Sequence, residues 1–177
     1  ASSSVGLAAI QIVKSVGALA AATTRGDSKK QFLLEAGADQ VIVTDKEDVA
    51  ANMKDITGGN GAAIIFAPVA GPFLEKLAAA AAQRAIIFQY GAFSLAPTPF
   101  PLFEAIGKGL TVRGYTLFEI VSDPEMMARG KKFTYDGLSS GALKPIIART
   151  FPLEEIVEAH RFMESNQQLG KIVVTVQ

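Results

Sequence analysis

Apolar positions along this chain switch repeatedly between two spacings, and the alternation predicts helices and strands in turn. Val5, Ala8, Ala9, Ile12, Val13 and Val16 recur at steps of three and four, which predicts a first helix with one buried stripe, ended by Gly17. A strand from Ala18 to Thr23 follows. Ser28 is expected to cap a second helix that carries Phe32, Leu33 and Ala36 inward and stops at Gly37, after which Val41-Ile42-Val43 reads as a short buried strand. Val49, Met53 and Ile56 mark a third helix closed by Gly58-Gly59. The unbroken apolar run from Ala62 to Phe66 then has the pattern of a strand covered on both faces. A helix from Phe73 to Ala82 and a strand from Ala85 to Gln89 repeat the cycle.

The pattern lapses between Gly91 and Pro101, where Gly91, Pro97, Pro99 and Pro101 break regular structure among Phe93, Leu95 and Phe100. This predicts a loop over a ligand. A short helix at 102–108, a strand from Leu110 to Leu117 and an amphipathic helix from Pro124 to Leu138 complete the alternating set. Strands so regularly separated by helices imply an α/β fold with a doubly wound parallel sheet, Rossmann-like in kind. The last part differs: strand Ile146 to Phe151, helix Leu153 to Glu164 and strand Lys171 to Val176 predict a strand-helix-strand appendage. A boundary near Gly141 therefore divides residues 1–140 from 141–177. No fixed-period repeat is present, and the alanine-rich stretch at 78–82 reads as a close-packed helix face.

Composition narrows the partners. The chain has 177 residues, 17 Lys and Arg against 17 Asp and Glu, so no overall field draws nucleic acid or an anionic membrane surface. Any anion must be held locally. Cysteine is absent, which excludes disulfides, thiolate zinc sites and a cysteine nucleophile within this stretch and agrees with a cytoplasmic location. The apolar run from Ile10 to Ala22 is broken by Lys14, Ser15 and Gly17, so neither a membrane span nor a signal peptide is expected.

The chemistry is concentrated at the front. Ser2-Ser3-Ser4-Val5-Gly6 runs directly into the first helix, and small residues there let the backbone approach a pyrophosphate while free helical N–H groups face it. Ser3, Ser4, Val5 and Gly6 are thus candidate phosphate ligands; a helix cap without a ligand is the plainer explanation of the serines. The residue type after the next strand selects the nucleotide. An acid there accepts from a ribose 2'-hydroxyl, a cation accommodates a 2'-phosphate. Here stand Thr24, Arg25 and Lys29, which favours NADP(H): Arg25 as a fork, Lys29 as a point charge, Thr24 as a hydroxyl, with Asp27 weakening the local field.

Ligands in open parallel sheets lie outside the carboxyl ends of the strands. That places Val69 and Ala70 by the ribose or nicotinamide, Tyr90, Gly91 and Phe93 by the nicotinamide, and Leu117 and Phe118 at a substrate cleft or a subunit contact. Packing alone accounts for the aromatic residues equally well. His160, the single histidine, falls on the stripe Ile156, Ala159, His160, Met163 and is read as a packing residue, not a proton donor. No convergent set of metal ligands is visible. A cradle of this kind normally follows a first strand, and the central strand of the sheet has no source here. The expectation is a fragment.

In order, Ala1-Ser2-Ser3-Ser4-Val5-Gly6-Leu7-Ala8-Ala9-Ile10-Gln11, Ala22-Thr23-Thr24-Arg25 with Lys29, Glu35-Ala36-Gly37-Ala38-Asp39 and Gly170-Lys171-Ile172-Val173-Val174 resemble the coenzyme-binding half of the medium-chain dehydrogenase/reductase superfamily. The likeness is nearest to the quinone oxidoreductase and zinc-type alcohol dehydrogenase branches. It implies NADPH-dependent reduction of a carbonyl, enone or quinone, a small-molecule substrate, a homodimer, and a segment from Lys171 that returns toward the cofactor. It also implies that catalytic groups lie in an absent N-terminal part, and it leaves zinc open for a longer parent or, alternatively, a non-catalytic nucleotide-binding module.

Overall fold

The structure, a computed structural model, describes residues 1–176. In chain order it forms α1 (Ser4–Ser15), β1 (Ala21–Thr24), a 3-10 turn (Asp27–Lys29), α2 (Lys30–Glu35), β2 (Gln40–Val43), α3 (Val49–Ile56) and β3 (Ala62–Ala67). Next come α4 (Phe73–Ala80), β4 (Ala81–Gln89), α5 (Leu102–Lys108), β5 (Thr111–Gly114), α6 (Phe118–Val121) and α7 (Pro124–Ser140). Strand β6 (Ile147–Pro152), a second 3-10 turn (Leu153–Glu155), α8 (Ile156–Glu164) and β7 (Lys171–Thr175) follow. Every strand pair is parallel, in the orders β1-β2, β3-β4-β5 and β6-β7, so the α/β class with helical crossovers holds. The chain groups into two compact units, residues 1–46 with the chain from Lys132, and residues 47–131.

In the first unit Leu7 and Ile10 of α1 pack with Ala20, Ala22, Leu33, Ala38 and Val41. Full burial of a side chain such as Leu33 contributes roughly 1.5–3 kcal/mol. The buried stripe of α1 is therefore not the expected one, since Val5, Ile12 and Val16 are exposed. Residues 7–13 are apolar almost all round, so spacing alone admits two stripes, and the packing of Leu7 and Ile10 on Ala20, Leu33 and Val41 selects one. Lys14 Nζ donates to Asp39 Oδ1 at 2.6 Å, and Asp39 Oδ2 accepts the Ala20 N–H at 2.8 Å. The Lys14 bond first, then the Ala20 amide, lowers the Asp39 carboxyl below its ordinary pKa. Ser28 does not cap α2. It lies inside the 3-10 turn, where the Lys30 N–H already finds the Asp27 carbonyl.

Gly170 sits at φ +115, and a Cβ there would lie 2.4 Å from the Ile146 carbonyl oxygen, which the Lys171 N–H meets at 2.8 Å. Gly170→Ala is expected to cost about 1–3 kcal/mol through backbone strain alone. A thermal melt of the variant checks this; an unchanged midpoint would refute it.

In the second unit Leu74 and Ala78 of α4 pack on Ile87, with Ile65, Leu110 and Val112 around them. Helix α4 ends at Ala80 and β4 begins at Ala81 without a loop, so the alanine run is half strand. Its helical propensity loses to pairing. Gly61, at φ +85, brings the chain so close that a Cβ would lie 2.8 Å from backbone atoms of Ala80, Ala81 and Ala82. Arg84, at φ +59, then takes up the register shift between Ala62↔Ala81 and Ile64↔Ile86. Strand β3 is not covered on both faces: Ile64 and Phe66 are exposed, and among the described residues β3 pairs with β4 alone. Strand β5 ends at Gly114 rather than Leu117, because the chain turns into α6.

Candidate functional site

Helix α1 opens with Ser3 as its cap. The Ser3 backbone is extended, its Oγ accepts the Gly6 N–H at 3.2 Å, and the Ser3 carbonyl takes the Leu7 N–H at 2.9 Å. Of the residues expected to face pyrophosphate, Gly6 has thus already given its amide to the cap. The first-turn amides of Ser4 and Val5 have no acceptor within the helix, and α1 carries no acid in its first turn to oppose an anion. Gly6 has helical geometry, so its role is spatial. A Cβ would lie 2.1 Å from the Ala1 carbonyl oxygen and 2.8 Å from Ala1 Cα. The Ala1 nitrogen donates to the Thr23 carbonyl at 2.6 Å, which sets the start of α1 beside the end of β1.

Parallel pairing aligns Thr24 with Val43, so the residues after β2 lie next to those after β1. The Thr44 N–H donates to the Thr24 carbonyl at 2.8 Å, the Thr44 hydroxyl approaches the same oxygen at 3.3 Å, and the Asp45 N–H donates to the Arg25 carbonyl at 3.2 Å. Thr44 therefore stands beside Thr24, and Lys46 reaches Asp27, a proximity that sequence reasoning missed. The available signal was the strand register, which carries residues after Val43 to Arg25. Arg25 is exposed, and among the described residues no hydrogen bond or ion pair engages its guanidinium. Asp27 is ion-paired with Lys46.

Lys29 is placed differently from Arg25. Its ammonium donates to the carbonyl oxygens of Asn166 at 2.6 Å and Gln168 at 3.3 Å, holding the turn between α8 and β7. Burial first, and the Arg25 charge second, lower its pKa below the ordinary lysine value. Its two carbonyl partners are dipoles, and among the described residues no carboxylate pairs with the Lys29 ammonium. Thr24 turns its hydroxyl to the Gly26 carbonyl at 3.3 Å.

Within the second unit the ends of β3 and β4 are joined. The Tyr90 N–H donates to the Ala67 carbonyl at 3.0 Å, that of Phe93 to Pro68 at 3.1 Å and that of Ser94 to Val69 at 2.8 Å. Val69, Ala70, Tyr90, Gly91 and Phe93 thus form one cluster. Ala70 is buried at φ +59, a conformation strained for alanine, and the Gly71 N–H beside it is fixed by Thr98 Oγ1 at 2.9 Å. The Tyr90 ring stacks on Phe66 with centroids 4.0 Å apart, and burial raises its phenol above the ordinary pKa.

Leu117 and Phe118 stand exposed at the start of α6. Lys171 is exposed at the beginning of β7, held by its own backbone rather than by its side chain. His160 is exposed, which corrects the expectation of a packing residue: of its stripe only Ala159 is buried, and α8 meets β6 instead through Phe162 against Phe151, 6.1 Å between centroids. No group of three or more His, Cys, Asp or Glu with metal-binding geometry occurs among the described residues, and no helix there is long and apolar enough to cross a membrane.

The family model for zinc-binding dehydrogenases matches residues 4–132. The chain is 27% identical over 164 residues to 2-haloacrylate reductase of Burkholderia sp, covering 92% of this chain and 49% of that protein. It is 30% identical over 173 residues to quinone oxidoreductase 1 of Escherichia coli strain K12, covering 96% and 53% respectively. Among solved structures, Escherichia coli quinone oxidoreductase complexed with NADPH superposes with a TM-score of 0.84 at 28% identity, over 97% of this chain and 54% of that one. The chain therefore spans about half the length of the curated relatives it matches.

Proposed function

Because the chain belongs to the zinc-binding dehydrogenase family, in the medium-chain dehydrogenase/reductase superfamily, we propose that it is the coenzyme-binding part of an NADPH-dependent reductase acting on a quinone, enone, aldehyde or ketone. NADPH, when bound, supplies the hydride. The chain's own residues bind and orient it. The Ser4 and Val5 amides, at the positive end of α1, receive pyrophosphate oxygens; Gly6 keeps that end close to the preceding backbone. Arg25, with Thr24 and Thr44 beside it, receives the 2'-phosphate, and Lys29 adds its charge from the neighbouring turn. Val69, Ala70, Tyr90, Gly91 and Phe93 form a wall for the ribose and nicotinamide, Leu117 and Phe118 serve the substrate cleft or a subunit contact, and Lys171 lies on the segment returning to the cofactor.

One observation carries the proposal: Arg25, whose guanidinium no hydrogen bond or ion pair engages among the described residues, stands in place of an acid directly after β1, beside the start of α1. The NADPH complex of the Escherichia coli relative supports the same nucleotide. A cytoplasmic homodimer, with residues 1–140 holding the cofactor and 141–177 returning to a catalytic domain, completes the proposal.

The test is NADPH oxidation by the intact protein across a panel of quinones and enals, with metal analysis of the same sample. Turnover without zinc is expected. Binding without turnover across the panel would replace the enzyme with a nucleotide-binding module, and stoichiometric zinc would replace the quinone-type reductase with an alcohol dehydrogenase.

A further inference from the structure

The anion site has an internal conflict in its charges. Asp27 opens the 3-10 turn that carries Lys29 and stands two residues after Arg25, so its carboxylate opposes a phosphate gathered by these two cations. Lys46 answers it. Parallel pairing of β1 with β2 brings the chain after β2 to the Arg25 backbone, where the Asp45 N–H is held at 3.2 Å, and Lys46, the next residue, reaches across to ion-pair with Asp27. Both side chains are more than half exposed, so the pair adds little to stability. Its effect is on the field, because it engages the carboxylate that stands between Arg25 and Lys29 in the sequence.

We propose that Lys46 is a specificity-determining positioning residue: by holding Asp27, it leaves Arg25 and Lys29 to a 2'-phosphorylated dinucleotide and denies Asp27 to a ribose 2'-hydroxyl. The inference rests on the NADPH reading of this site. Lys46 acts through Asp27 and need not touch the cofactor. In its absence Asp27 is freed between Arg25 and Lys29, where it repels a phosphate and offers the acceptor that a 2'-hydroxyl uses.

The experiment titrates NADPH and NADH into the intact protein by fluorescence, with melting checked for every variant. Lys46→Met is expected to weaken NADPH about tenfold and to leave NADH equal or tighter, while Lys46→Arg keeps the original ratio. Adding Asp27→Asn to Lys46→Met is expected to restore most of the NADPH affinity. A ratio unchanged in Lys46→Met overturns the inference, as does a loss that Asp27→Asn fails to rescue, since that would mean direct contact with the cofactor. Equal weakening of both nucleotides also overturns it, by marking a structural role. If wild-type protein binds NADPH and these outcomes fail, only the role of Lys46 falls; if wild-type protein binds neither nucleotide, the NADPH reading falls with it.

Discussion

Gly6→Val is expected to abolish NADPH binding, with affinity reduced more than a hundredfold. The first Cβ atom already lies 2.1 Å from the Ala1 carbonyl oxygen, inside any real contact distance, and its neighbours are backbone atoms that no rotamer change can move aside. The start of α1 must shift relative to the segment before it. That segment is tied to β1 through the 2.6 Å bond from Ala1 to Thr23, so the helix end yields and the Ser4 and Val5 amides lose their aim. Two hydrogen bonds to a charged group are worth roughly 1.5–3 kcal/mol each, which sets the hundredfold loss as the lower bound. Titration checks the prediction and a cooperative thermal melt shows whether the variant still folds. Affinity retained within a few fold would mean that pyrophosphate is not held at this helix.

The fold class was legible because the alternation of helical and strand spacing runs through the whole chain, and the serine-capped start of α1 because its residues are contiguous. What escaped depended on pairing between distant segments. The orientation of α1 was ambiguous in a helix apolar on most sides, and was decided by packing of Leu7 and Ile10 on Leu33, Ala38 and Val41, which are distant in the sequence. The helix-to-strand change at Ala81 contradicts alanine's own preference and follows from contact with Gly61. At the site, Arg25 was visible as a cation in place of an acid. Thr44 and Lys46 were not, because only the β1–β2 register brings them there. Lys29 was named for its charge, yet its two carbonyl partners lie in a turn 137 and 139 positions away, a distance over which no local pattern speaks.

Arg25→Asp is expected to lower the ratio of NADPH to NADH affinity by more than a hundredfold. Two effects act in the same direction. The guanidinium, unengaged among the described residues, is removed from the phosphate, a loss of roughly 1.5–3 kcal/mol for a charge-assisted contact. A carboxylate then stands at the end of β1, where it repels a dianion and accepts from a ribose 2'-hydroxyl. Parallel titrations with both nucleotides measure the ratio, and rising salt should weaken NADPH binding to wild type more than to the variant, because fewer charges remain to be screened. An unchanged ratio would remove the 2'-phosphate from this strand end. The comparison with Lys46 sharpens the result: if Arg25 meets the phosphate itself, as proposed, Asp27→Asn should not rescue Arg25→Asp, whereas it should rescue Lys46→Met. Rescue of both would mean that net charge alone sets the preference, and rescue of neither that each cation contacts the nucleotide.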